Sequence, residues 1–115
     1  VASETHEIND WKLIIEQVEI DNTKDLRNFV DEQKNTNEKI CVVILSATGN
    51  KVALVCGVTS NLTDSLSAKD VISKLSSDIG GSGGGRADFA QGAGETENLK
   101  EFVTSIPNSV KSLEK

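Results

Sequence analysis

The chain opens its ordered pattern at Trp11 to Glu19 (WKLIIEQVE), where Ile and Val are set among charges in the manner of a half-exposed strand. Asp21, Asn22 and Thr23 can cap a following helix, in which Leu26, Phe29 and Val30 recur at helical spacing while Asp25, Arg27, Asp31 and Glu32 face outward. Ile40 to Leu45 (ICVVIL) and Val52 to Val58 (VALVCGV) are apolar on both alternations, so each reads as a strand buried on both faces. The Gly49-Asn50 turn between them predicts a central hairpin. Ser67, with Asp70 three residues on, resembles a capping box, and Ala68, Val71, Ile72, Leu75 and Ile79 form an apolar stripe that ends at Gly80. A last helix begins near Glu95 and Thr96, carries Leu99, Phe102, Val103 and Ile106 on one face, and stops at Pro107, the only proline. Val110 and Leu113 then pack in a final turn.

The predicted order is strand, helix, strand, strand, helix, glycine loop, helix. That is an α+β fold, with helices covering a small sheet that contains the central hairpin. Residues 1–10 read as a flexible acidic lead, and residues 11–115 as one domain without internal repeats. The chain holds no methionine, so it is read as a piece of a longer protein.

Charge refines this picture. The net charge of −6 disfavours nucleic acid and anionic membranes when taken alone. Its distribution tells more: residues 1–38 hold ten acids and four bases, whereas residues 39–115 hold eight of each. An anionic ligand can approach the later part. Two cysteines and one histidine are too few for a zinc site, so no metal is expected, and Cys41 and Cys56 read as reduced core thiols. No run reaches the ~20 apolar residues of a membrane span, and the polar start is unlike a signal peptide. A cytoplasmic location without membrane partners is the expectation.

Seven of the nine glycines fall between Gly80 and Gly94, in GGSGGGRADFAQGAG. Glycine lets another chain or a ligand approach the main chain, at a conformational cost of roughly 0.5–1 kcal/mol per ordered residue. A plain flexible linker would not need Arg86, Asp88, Phe89 and Gln91 directly after the run. A triphosphate-binding loop fails as well: Gly80, four residues and Gly85 are followed by Arg86 and Ala87, not by the Lys and Ser/Thr that contact phosphate and magnesium.

GGSGGGRADFAQGAG resembles the signature near the C-terminus of alanyl-tRNA synthetase: two glycines, a variable residue, three glycines, a basic residue, Pro, Asp, Met, Ala-Gln and small residues. KVALVCGVTSNLTDSLSAKDVISKLSSDI is similar to the segment that precedes it there, and the likeness extends from about Trp11 to Val110. Ala87 and Phe89 stand where proline and methionine are usual, and Ser67 and Ser82 where the family often carries a basic residue.

The resemblance implies the C-terminal globular domain, related to the accessory domain of DHH-type phosphoesterases. Such a domain is not catalytic. It holds tRNA so that upstream domains can aminoacylate and edit it, and it leaves ATP, magnesium and zinc to those domains. The implied partners are therefore tRNA, upstream domains of the same chain and, in some settings, a second copy. Gly81, Gly83, Gly84 and Gly85 would admit a phosphate or sugar edge, Arg86 would fork onto phosphate, and Asp88 and Gln91 would meet 2′-hydroxyls or base edges. Lys69 and Lys74 are auxiliary candidates. Phe89 reads as a core anchor before a stacking platform. The alternatives are an inter-subunit or inter-domain interaction module and an accessory substrate domain of a DHH-type phosphoesterase; the latter is disfavoured because Arg86 and Asp88 stand where those relatives carry histidine.

Overall fold

The computed structural model describes residues 2–8, 10–18, 28, 30–32 and 39–114. These build six strands, β1 (Ala2–Ile8), β2 (Trp11–Gln17), β3 (Ile40–Thr48), β4 (Lys51–Val58), β5 (Ser82–Gly85) and β6 (Phe89–Glu95), and two long helices, α1 (Ala68–Asp78) and α2 (Leu99–Leu113). The strands form one sheet in the order β1-β2-β3-β4-β6-β5. All neighbours are antiparallel except β2 and β3, which run parallel.

A parallel pair needs a crossover connection, and the helical residues Asn28, Val30, Asp31 and Glu32 lie within it. Val30 is fully buried against Val18, Ile40, Val42, Ile44 and Val55 on one sheet face. Leu26, Phe29 and the capping residues Asp21 to Thr23 lie outside the described residues. The opposite face carries the larger core, in which Leu13, Ile15, Cys41, Val43, Leu45, Leu54 and Cys56 meet Val71, Ile72 and Leu75 of α1 and Phe102, Ile106 and Val110 of α2. Continuous apolar runs in β3 and β4 thus follow from burial on both faces, as their sequence requires. The two cysteines are buried thiols, with Sγ atoms 3.8 Å apart.

Four elements differ from the sequence expectation. The acidic lead is not loose: Ala2–Ile8 pairs along the whole of β2, which is consequently buried more fully than a half-exposed strand. The glycine segment is a hairpin, β5 and β6, inserted into the sheet beside β4, and not a loop. The last helix starts later, because Glu95 ends β6 and Asn98 is the cap whose side chain accepts from Glu101 N at 3.1 Å. Pro107 then lies inside α2 instead of ending it. An interior proline costs about 3 kcal/mol, and burial of Ile106 and Val110 on either side offsets that cost. Trp11 Nε1 further ties the helix end to β2 by donating to Glu114 Oε2 at 2.6 Å.

Helix α1 stops as its sequence suggests. Gly80 turns left-handed (φ +68°), its N–H donates to Ser77 O at 3.1 Å, and Gly81 N donates to Ser76 O at 2.8 Å. This double closure is a Schellman motif. The start of α1 is different: Ser67 occupies the cap position but makes no side-chain cap bond, and Ala68 N donates instead to Ala87 O at 2.8 Å.

Ser76 is fully buried, and its hydroxyl has no partner among the described residues. A buried hydroxyl without a hydrogen bond costs on the order of 1–3 kcal/mol. Ser76→Ala is therefore expected to stabilise the domain by about 1 kcal/mol, read as a higher urea midpoint at unchanged m-value.

Candidate nucleic-acid interface

The glycine hairpin sorts its residues by face. In β6, Ala90, Gly92 and Gly94 share the face of Leu54 and Cys56, under α1, whereas Gln91, Ala93 and Glu95 share the face of Val55 and Ala53. Pairing carries this alternation into β5, so Gly83 and Gly85 lie on the helix side and Ser82 and Gly84 on the other. A Cβ at Gly83 would stand 2.7 Å from Ile72 Cγ2, and one at Gly92 would overlap Ser76 Oγ and stand 2.8 Å from Ile72 Cγ2. One at Gly81 would overlap the backbone oxygen of Ala93, and one at Gly94 would overlap Ile79. Gly83, Gly92 and Gly94 let α1 and its cap residue press on the backbone of the hairpin, and Gly81 lets the chain entering β5 lie close to β6. Gly84 alone within β5 has open space where its side chain would be.

The edge of the sheet is the second feature. Arg86 N donates to Phe89 O at 2.7 Å, which makes this a hydrogen-bonded pair of the antiparallel ladder. By alternation the next such pairs are Gly84 with Gln91 and Ser82 with Ala93. The N–H and C=O groups of Gly83 and Gly85 accordingly point off the free edge, and both residues are exposed. Three of the four residues of β5 are glycines, which leaves that edge accessible to a ligand.

Arg86 sits at the hairpin tip with its side chain largely exposed, and its Nε lies 3.6 Å from Asp88 Oδ1. An exposed pair at that distance contributes little to stability. The tip itself is held firmly, because Ala87 O accepts from Ala68 N and Asp88 O accepts from Val58 N at 3.0 Å. Both carbonyls flanking the Arg86 tip are thus anchored to the body of the domain. The anchored tip carries Arg86 beside outward glycine amides, an arrangement suited to phosphate.

The remaining sequence candidates are dispersed. Asp88 is half-buried beside Arg86, and Gln91 is exposed on the open face next to Gly84. Lys69 follows the Ala68–Ala87 contact and so stands at the Arg86 end, exposed. Lys74 is further along α1 and pairs with Asp78 at 3.2 Å. Phe89 packs half-buried against the smaller core, in the role of an anchor.

The open face holds what the sequence reading missed. Over β4, β6 and β5 this face carries buried Val55 and half-buried Phe89 among small or polar side chains, with Ala53, Ser82, Gln91 and Ala93 exposed. Two adjoining hollows of about 810 and 320 Å³ lie on it and share Ala53, Ser82 and Ala93. Ser46 and Lys51 line the larger. Alternation in β4 could have placed Lys51 with Ala53 and Val55, but only the pairing with β6 reveals that this face continues into the glycine hairpin. Among the described residues, no group of three or more His, Cys, Asp or Glu could hold a metal ion, and no helix is long and apolar enough to cross a membrane.

Comparison with known proteins fits this architecture. The DHHA1 domain model matches residues 10–112. Alanine–tRNA ligases of Staphylococcus saprophyticus and Staphylococcus aureus are 36% and 32% identical over 114 residues, 98% of this chain. The chain spans only 13% of the length of those relatives. The crystal structure of the C-Ala domain from Aquifex aeolicus alanyl-tRNA synthetase matches with a TM-score of 0.82 at 31% identity, covering 94% of this chain and 98% of that one. A DHH domain protein described as a member of the s1p family of ribosomal proteins shares the fold, with a TM-score of 0.62 at 12% identity over 98% of this chain and 28% of its own. Glycine spacing, hairpin placement and chain-wide similarity agree: the chain belongs to the DHHA1 domain family, as a C-Ala domain of the alanyl-tRNA synthetase type.

Proposed function

We propose that this domain grips tRNA through the tip and free edge of the β5–β6 hairpin, positioning it for aminoacylation and editing by upstream domains of the same cytoplasmic ligase. One observation carries the reading: Arg86 is exposed on a tip anchored through Ala87 and Asp88, next to the outward amides of Gly83 and Gly85. Backbone amides and a guanidinium recognise phosphate by geometry and charge, which positions a polyanion without reading its sequence. ATP, magnesium and zinc belong to the upstream domains in this reading, and the hairpin supplies binding alone.

Arg86→Ala is the direct test. Titrating a tRNA transcript with the 115-residue chain at two salt concentrations is expected to show roughly tenfold weaker binding, and a slope of log K against log salt flattened by about 0.7–0.9. Equal affinity and slope for the two proteins would refute the reading. Self-association through the open β5 edge is a second reading, favoured by its unpaired backbone groups; its mark is a sedimentation coefficient that rises with protein concentration.

A further inference from the structure

We infer that the larger hollow on the open sheet face is a second RNA subsite, with Lys51 as its phosphate anchor, at the end of the sheet opposite Arg86. The inference rests on the reading of the hairpin as an RNA grip and extends it to residues outside the glycine signature. Three independent observations converge there.

The first is a free cation. Lys51 is exposed, lines the hollow, and forms no ion pair among the described residues, although its neighbour across the ladder is Glu95. Lys74 and Arg86, by contrast, each stand by a carboxylate.

The second is a polar group held in an unusual place. Ser46 is 4% exposed, its side chain lines the same hollow, and it makes no hydrogen bond to a described residue. Its hydroxyl is not sealed in the core as that of Ser76 is, so it can donate to or accept from an occupant of the hollow. Ser82 adds a second hydroxyl from β5, and Glu95 an acceptor at the rim. Hydroxyls and a carboxylate suit ribose, and Lys51 suits the adjoining phosphate.

The third is continuity. The two hollows share Ala53, Ser82 and Ala93, so the floor runs unbroken from Lys51 to Gln91 and Gly83. Lys51 faces Glu95 at one end of β6, and Arg86 faces Phe89 at the other. Six residue steps separate those ends, about 20 Å of strand. Between Arg86 and the hollows this face carries the half-buried ring of Phe89, so an RNA backbone anchored at Arg86 passes over that ring to reach Lys51. Single-stranded or loop RNA of a few nucleotides is the occupant this track fits.

The experiment uses the 115-residue chain and a tRNA transcript, with Lys51→Ala, Ser46→Ala, Arg86→Ala and, as control, Lys100→Ala on the exposed side of α2. Lys51→Ala is expected to weaken binding about fivefold at moderate salt and to flatten the salt slope by about 0.7–0.9, Ser46→Ala to weaken it about twofold, and Lys100→Ala to change nothing. Sites so far apart should combine additively, so the Lys51→Ala/Arg86→Ala double variant should show the product of the single fold-changes. Each variant is checked for an unchanged melting temperature. Wild-type binding by Lys51→Ala alongside weakened binding by Arg86→Ala would overturn the second subsite and leave the hairpin grip standing. Wild-type binding by Arg86→Ala would remove the grip itself, and this extension with it.

Discussion

Gly92→Ala should lower stability by about 3 kcal/mol, the upper end of the usual range for forcing an extra methyl into a packed site. The added methyl would overlap Ser76 Oγ and stand 2.8 Å from Ile72 Cγ2 and 3.1 Å from Gly83 Cα. None of these neighbours can yield cheaply. Ser76 and Ile72 are fully buried on α1, which is fixed at its start by Ala87 and at its end by the Gly80–Gly81 closure. Relief would require lifting the helix from the hairpin, exposing part of the larger core. For a domain of this size, 3 kcal/mol corresponds to a melting temperature lower by roughly 12–24 °C. The lone tryptophan, Trp11, is 2% exposed and sits in β2, three strands from β6, so its fluorescence reports whether unfolding is global.

A double-variant cycle identifies the cause. Ser76→Ala removes one of the two side-chain clashes, so Gly92→Ala should be about 1 kcal/mol less harmful in that background than in the wild type. Strict additivity would mean that the damage comes from somewhere other than the helix contact.

Gly84→Glu is expected to behave in the opposite way, leaving the melting temperature within a few degrees of wild type while weakening tRNA binding by about tenfold to thirtyfold. Gly84 has open space where its Cβ would be, and it does not have the positive φ of Gly80 or Gly49. A side chain there therefore fits the strand, and replacing glycine within a strand removes a conformational penalty of roughly 0.5–1 kcal/mol. Its carboxylate, however, would stand on the open face beside the outward amides and two residues from Arg86. A charge about 7 Å from a bound phosphate at an effective dielectric near 20 is worth roughly 2 kcal/mol. Salt screening brings that toward the lower fold-change. Gly84→Ala, which adds no charge, should keep both stability and most of the binding. Together the two glycines separate what the cluster does for the fold from what it does for the ligand: Gly92 serves packing, and Gly84 lies on the surface.

Local pattern was sufficient for much of this domain. The β3–β4 hairpin, with Gly49 at its turn, follows from two apolar runs, and α1 and the apolar face of α2 follow from their helical stripes. The glycine signature, with the segment before it, pointed to the family. In each case the deciding residues are near one another in the chain, so periodicity and turn chemistry carry the information.

Tertiary structure decided the rest. Residues 2–8 look like a polar lead because an edge strand needs few apolar side chains; their pairing with β2 is visible only once β2 is placed. Pro107 ends an isolated helix, yet packing of Ile106 and Val110 on the sheet carries α2 past it. Above all, the glycines read as a loop opened to a ligand, whereas Gly83, Gly92 and Gly94 are vacant where α1 and its cap residue Ile79 press against the hairpin. Whether an absent side chain makes room for a partner or for the protein's own helix depends on which surface faces it. That surface belongs to residues distant in sequence, so composition and spacing cannot specify it; strand order and helix placement do.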